Sequence, residues 1–185
     1  NLTALISAHQ SIGVPQPLIL FGTDAQKKKF LPRVAGGEIS AFALTEHGVG
    51  SDPAAMITNA VPTPDGKHFI LNGEKLWITN GGIADFYTVF ARTDGPEGKV
   101  TAFIVEAAWP GVSHGPHEDK MGIRASCTTT VAFSDVQVPA ANVLGEVGKG
   151  FKVAMGILNN GRTGLGGGAV GGMKALIRRS VAQAQ

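Results

Sequence analysis

Cysteine is almost absent: Cys127 is the single thiol among 185 residues. One thiol excludes an internal disulfide and fits a reducing compartment. Long apolar runs are missing too. Nowhere does the chain string together the roughly 18 apolar residues that a membrane-spanning helix needs. Charge is sparse, and 16 basic against 14 acidic side chains leave a net +2. The basic clusters Lys27-Lys28-Lys29 and Arg178-Arg179 are short and far apart. They read as solvated helix faces, so no nucleic-acid partner is expected. No signal or transit pattern is visible, and a secreted protein is not expected. The first residue is not Met, and Asn1-Leu2-Thr3 reads as mid-helix, so the sequence is expected to be a fragment.

Several familiar chemistries also lack their motifs. Gly145 to Gly150 contains a lysine but not the spacing of a P-loop. Ser51 does not sit in a GxSxG elbow, which argues against a serine hydrolase. Gly166-Gly167-Gly168-Ala169-Val170-Gly171 matches GxGxxG, yet a helical pattern precedes it where a dinucleotide site needs a strand. Small residues for close helix packing account for it better. His114-Gly115-Pro116-His117 with Glu118 and Asp119 could suggest a metal. Gly and Pro between the histidines spoil a helical ligand pair, and no further ligands stand out, so no metal is expected. Cys127, flanked by Ser and Thr at a strand start, reads as packing and not as a nucleophile.

What the chain does have is apolar residues, at 43%, and 26 glycines. The first figure is enough for a core. The second is about twice the roughly 7% of average proteins. Residues 1–40 read as helical, with Leu2, Leu5 and Ile6 on one face, His9 as a structural or surface histidine, and Pro15 and Pro17 breaking the run. Thr23-x-x-Gln26 is a capping box opening a helix from Asp24 to about Leu31, with Pro32 disturbing its end and Gly36-Gly37 stopping it.

Residues 41–140 read as β. Phe69-Ile70-Leu71 and Lys75-Leu76-Trp77-Ile78 flank Asn72-Gly73, which predicts a type I′ hairpin. Further strands are expected over 86–91, 100–105, 129–133 and 136–138. Short strands with regular turns mean a barrel or a sandwich. Residues 141–185 turn helical again: apolar positions 151, 154, 155 and 158 have helical spacing. A second helix is expected from Arg162 onward, despite six glycines that each cost up to about 1 kcal/mol relative to Ala.

One stretch concentrates chemistry: Phe42-Ala43-Leu44-Thr45-Glu46-His47-Gly48-Val49-Gly50-Ser51-Asp52. Glycines let backbone N–H groups approach a ligand, and such a turn forms a nest for anionic or carbonyl oxygens. Thr45 and Ser51 add hydroxyls that donate and accept. Glu46 and Asp52 are a tempting acid–base pair, but carboxylates in a tight Gly turn more often fix backbone N–H groups. A second stretch, Leu76-Trp77-Ile78-Thr79-Asn80-Gly81-Gly82, suits a planar aromatic ligand: the indole stacks and the hydroxyl bonds a ring heteroatom. Alone, each stretch also fits a plain turn and a core tryptophan.

Together, Leu44-Thr45-Glu46, Gly50-Ser51-Asp52 and Trp77-Ile78-Thr79-Asn80-Gly81 resemble the two flavin-binding signatures of the acyl-CoA dehydrogenase family, and most closely its very-long-chain branch. The likeness extends to Ala8-His9-Gln10-Ser11-Ile12-Gly13 and Phe151-Lys152-Val153-Ala154-Met155. His47 departs from the usual Pro, and Val49 from a usual small residue. The resemblance implies a mainly β fold: the family's middle β-barrel over 41–140, between the end of an N-terminal helical domain (1–40) and the start of a C-terminal one (141–185). It implies FAD as cofactor and α,β-dehydrogenation of fatty acyl-CoA to trans-2-enoyl-CoA in β-oxidation. Electrons would pass to an electron-transfer flavoprotein, and the full-length protein would be a homo-oligomer. The compartment would be the cytoplasm in a bacterium or the mitochondrion in a eukaryote.

By the same resemblance, Phe42, Ala43, Leu44, Thr45, Gly50, Ser51, Trp77, Ile78 and Thr79 bind the flavin. Ser51, Asn159 and Arg162 meet the substrate, Asn159 replacing a frequent Asp. The family places its catalytic glutamate either directly before the arginine that is Arg162 here or far downstream. Position 161 is Gly, so no catalytic base is expected up to Gln185. An acyl-CoA oxidase, which shares the fold, and a non-catalytic flavin or acyl-CoA binding module are the alternatives.

Overall fold

The computed structural model describes residues 10–95 and 97–185. The face of Leu2, Leu5 and Ile6, and His9, lie outside the described residues. Helical residues 10–13 lead through Val14 into helix α1 (Pro15–Phe21). The first run does end before Pro15, at Val14, while Pro17 lies inside the helix that follows. Pro15 opens a new helix, where its fixed φ suits the first turn and its missing N–H costs nothing. Helix α2 (Asp24–Ala35) carries the expected capping box: the Gln26 N–H donates to Thr23 Oγ1 at 3.2 Å, and the Thr23 N–H to Gln26 Oε1 at 3.0 Å. It passes Pro32 and ends one turn later than the sequence suggests, capped at Gly36.

Among the described residues eight strands follow in one mixed sheet: β1 (Ser40–Ala43), β2 (Asn59–Pro62), β3 (His68–Thr79), β4 (Phe86–Arg92), β5 (Val100–Glu106), β6 (Val112–His114), β7 (Thr128–Pro139) and β8 (Val143–Leu144). Their order is β6-β7-β3-β2-β4-β5-β8, with β1 parallel to β4 on a branch. Alternation along β4 serves two cores at once. Tyr87, Val89 and Ala91 face an inner core with Phe69, Leu71, Phe103, Val131, Phe133 and Val138. Phe86 and Phe90 face an outer core with Leu18, Phe30, Ile104, Val153 and Ile157 from the helices and β5. Phe69 meets Phe103 at 5.1 Å and Tyr87 meets Phe133 at 6.4 Å, rings from strands that are not neighbours. The sheet thus folds over its inner core. It does not close: β6 and β8 stay at opposite ends of the strand order, so the barrel is an open one.

Two expectations of local structure are overturned. Asn72-Gly73 is no hairpin turn, because β3 runs through it without a break. Gly73 has φ 144°, and a Cβ there would lie 2.8 Å from Thr58 Cα. The pair marks a bulge instead: β7 has one extra residue opposite, between Phe133 and Val136. Asn72 fastens it, donating from Nδ2 to Asp135 Oδ1 at 3.0 Å and accepting the Asp135 N–H at 2.8 Å. That bulge also joins the two expected strands at 129–133 and 136–138 into one. Likewise, the two expected C-terminal helices are a single helix α3 (Gly150–Ala184), its first two turns seated on the outer core and residues 161–185 exposed.

Candidate functional site

The turn after β1 and the end of β3 meet at a cleft of about 370 Å³. Chain geometry explains the meeting. The turn closes on itself: the Val49 N–H donates to Glu46 O at 3.1 Å, and Gly48 takes φ 75°, which its missing side chain permits. The Leu76 N–H then donates to Thr45 O at 2.8 Å, stitching turn to strand.

Beneath that stitch lies a buried ion pair. Lys75 Nζ stands 2.5 Å from Glu46 Oε1, with side chains 0% and 2% exposed. The same ammonium donates to Leu44 O at 3.3 Å. The Glu46 carboxylate also accepts the Ile57 N–H at 2.6 Å and the Thr58 N–H at 3.2 Å. Burial alone would raise the Glu46 pKa. The Lys75 charge and these hydrogen bonds outweigh it and hold the carboxyl below its ordinary range. Burial pushes Lys75 down to about 8, against the pull of Glu46. Glu46 is therefore a fixed anchor for backbone and ammonium, as its place in a tight turn suggests. Asp52 has a local task too, accepting the Ala54 N–H at 3.0 Å to cap a short 3₁₀ turn.

Trp77 shows what the strand does next. Lys75 pairs with Val131 and Ile78 with Thr129, so β3 has one extra residue at this point. The bulge resets the alternation: Lys75 and Leu76 are both buried, Trp77 is 61% exposed, and Ile78 is buried again. Trp77 absorbs the reset at φ 55°, a left-handed conformation that a bulky residue adopts at a cost of about 1–3 kcal/mol. Such strain persists only where the surroundings enforce it. Here it turns a large indole away from the core and into the cleft.

Phe42, Leu44, Thr45, Gly50, Ser51, Trp77, Ile78, Thr79 and Arg162 all line this cleft, joined by Ile12, Met155 and Leu158. Two of the expected residues stand apart. Ala43 is fully buried, packs in the inner core and does not line the cleft. Asn159 is exposed on α3 and does not line the cleft; its carbonyl accepts the Thr163 hydroxyl at 3.1 Å. No carboxylate among the described residues lines the cleft. In the 114–119 segment, His117 Nε2 lies 3.8 Å from Cys127 Sγ. No group of three or more His, Cys, Asp or Glu converges there or elsewhere among the described residues.

Chemically, the cleft offers an apolar floor, an exposed indole, three hydroxyls and one guanidinium. That set suits a planar heteroaromatic group with polar edges and an anionic extension. An isoalloxazine ring fits this description. Lys75 is the residue that the sequence motifs did not reveal. Its one signal is parity: it shares the inward positions of β3 with Phe69 and Leu71, where a lysine needs a buried partner. A separate cleft of about 420 Å³ is lined in part by Arg33, Glu38, Asp85, Glu106 and His114. Arg33 there bridges Glu38 at 2.7 Å and Glu106 at 3.1 Å, Lys29 reaches Glu106 at 3.1 Å, and Asp85 accepts the Ile39 N–H at 2.7 Å.

Comparison with known proteins agrees with this geometry. Residues 41–136 match the family model of the acyl-CoA dehydrogenase middle domain, and residues 1–38 that of the N-terminal domain. The very long-chain specific acyl-CoA dehydrogenase of Bos taurus mitochondria is 56% identical over 185 residues, covering 96% of this chain and 28% of that protein. A Bacillus anthracis acyl-CoA dehydrogenase solved in complex with FAD superposes with a TM-score of 0.79 at 49% identity, covering 84% of this chain and 26% of that one. Butyryl-CoA dehydrogenase of Megasphaera elsdenii gives a TM-score of 0.83 at 48% identity, with 87% and 43% covered. The chain spans under a third of the length of the curated mammalian relatives it matches.

Proposed function

This chain belongs to the acyl-CoA dehydrogenase family, and from that premise we propose that it is the flavin-binding middle of an FAD-dependent enzyme that desaturates fatty acyl-CoA thioesters to trans-2-enoyl-CoA in β-oxidation. The observation that carries this reading is the cleft where Thr45, Ser51, Trp77 and Thr79 come together. FAD, when bound, supplies the two-electron acceptor that no side chain can provide.

This chain's own residues bind and orient. The Trp77 indole covers one face of the ring, on the apolar floor of Phe42, Leu44 and Ile78. Thr45 and Thr79 offer hydroxyl donors to its polar edges, and the turn through Gly50 offers backbone groups. Ser51 and Arg162 extend toward the substrate's CoA arm. Asn159 follows Arg162 only as a weaker candidate, since it stands outside the cleft. Removing an α-proton needs a positioned base, which typically contributes about 10²–10⁴-fold. Glu46 cannot serve, because Lys75 and two backbone N–H groups hold its carboxylate inside the protein. Position 161 is Gly, so the base is assigned to sequence past Gln185.

On this reading residues 1–40 end an N-terminal helical domain, 41–140 form the middle domain, and 141–185 begin a C-terminal one. Acyl-CoA is the substrate and an electron-transfer flavoprotein the acceptor, in a homo-oligomer of the mitochondrion or the bacterial cytoplasm. The test is to load the protein that contains this chain with FAD and mix it anaerobically with acyl-CoA thioesters of several lengths. Bleaching of the visible flavin bands with formation of enoyl-CoA is expected. An unchanged spectrum with every thioester would refute the reading.

A further inference from the structure

The Glu46–Lys75 pair is in an unusual place for a structural ion pair. It lies directly under the junction of the two elements that form the cleft, and it touches both. From β3, Lys75 reaches Glu46 at 2.5 Å and Leu44 O at 3.3 Å. From the turn, Glu46 takes the N–H groups of Ile57 and Thr58. Lys75 thus grips the start of the segment whose hydroxyls, Thr45 and Ser51, face the cleft, and through Glu46 it is tied to the backbone that follows that segment. Two residues further along the same strand, Trp77 is held at φ 55° by the bulge that begins at Lys75. A lysine that must point inward at 75 and an indole that must point outward at 77 cannot both fit a regular strand, where alternate side chains share a face.

From this we propose that Lys75 is a positioning residue of the flavin site: its bond to Glu46 and Leu44 O clamps the 44–51 turn against β3 and fixes the spacing between the Thr45–Ser51 side of the cleft and the Trp77–Thr79 side. The inference rests on the cleft being the flavin site. Its physical content is preorganisation. A ligand that must close the two sides itself binds more weakly, by the fraction of time they are already in place.

Removing the ammonium alone strands a buried carboxylate and threatens folding. The informative variant is therefore E46Q/K75M in the full-length protein. It deletes both charges, keeps the volume, and leaves an amide oxygen at position 46 to accept from Ile57 and Thr58. Two readouts are taken. In the apo protein, amide hydrogen exchange is expected to quicken at Leu76, Val49, Ile57 and Thr58 while the β4 and β5 amides keep wild-type rates. In the FAD titration, affinity is expected to fall about tenfold, as when the turn is in place a tenth of the time, and the bound flavin's visible bands to shift toward those of flavin in water. Adding W77L should then weaken FAD by a smaller factor in E46Q/K75M than in the wild type, since contacts sharing one geometry are not additive.

Exchange that quickens uniformly, β4 and β5 included, would overturn the proposal and leave the pair a stability element only. So would local quickening with FAD affinity and spectrum within twofold of wild type. If the wild-type protein itself bound no FAD, the flavin reading would fail and this inference with it. Local quickening in the apo protein would then show only that the clamp holds the turn.

Discussion

Two ionic clusters among the described residues, one at the cleft of Arg33 and Glu106 and one beneath the turn that borders the Trp77 cleft, differ in what they can do. Lys29, Arg33, Glu38 and Glu106 form a network in which every member keeps water nearby, with side chains 20–51% exposed. Glu46 and Lys75 form one pair with almost no water, at 2% and 0%. Coulomb attraction at similar distances is several-fold stronger where water is excluded, and so is the penalty for leaving one partner alone. The exposed network can lose a member and let solvent replace it. The buried pair cannot, which is why it can hold two segments of chain in one geometry.

Breaking the buried side should give the largest effect. Lys75→Met leaves a buried carboxylate without its counter-charge and should cost about 3–5 kcal/mol in denaturant unfolding. A loss below about 1 kcal/mol, the scale of an exposed pair, would mean that water reaches this one. Acid probes the same pair without mutation. The Glu46 pKa is lowered on folding from its ordinary 4.5, so its stability contribution is complete above that value and is lost as pH falls through the folded pKa. Stability of the wild type should therefore fall below about pH 4.5 more steeply than that of E46Q/K75M, measured by unfolding from about pH 2 to about pH 6. Equal slopes would contradict the assigned role of Lys75 in holding Glu46 ionised.

Next in size is the backbone under the pair. Gly73→Ala combines a positive φ with a Cβ 2.8 Å from Thr58 Cα, and Thr58 donates its N–H to Glu46. About 1–3 kcal/mol of destabilisation is expected by thermal unfolding. Smallest is the exposed network: Glu38→Gln should cost about 0.2–1 kcal/mol. That small cost should shrink further in about 1 M salt, where the Debye length falls to about 3 Å. A Glu38→Gln loss as large as that of Lys75→Met would erase the contrast between the two clusters.

The same contrast separates what was legible in the sequence from what was not. The capping box at Thr23 and Gln26 and the strands over 86–91 and 100–105 follow from local pattern, because local hydrogen bonds and alternation decide them, whereas the residues of the cleft came from resemblance to a family's signatures. Asn72-Gly73 misled, since a bulge and a hairpin turn ask for the same residue types. Only pairing with β7, 63 residues away at Asp135, decides between them. Lys75 stayed hidden for a similar reason: its partner Glu46 is 29 positions away, and neither residue alone announces burial. The glycine-rich stretch after Arg162 read as a separate helix, whereas the backbone continues one helix through it. Ala43 and Asn159 came in with their motifs and were separated from the cleft by strand alternation and helix phase.

On this reading the indole of Trp77 is turned outward to meet the flavin. The most direct measurement is tryptophan emission during titration of FAD into the apo, full-length protein, for the wild type and for Trp77→Leu. The prediction is a large quenching in the wild type that is mostly missing in the variant. FAD affinity should fall in the variant by about 0.5–1.5 kcal/mol beyond lost burial. Equal quenching and equal affinity in the two proteins would mean that Trp77 does not meet the flavin.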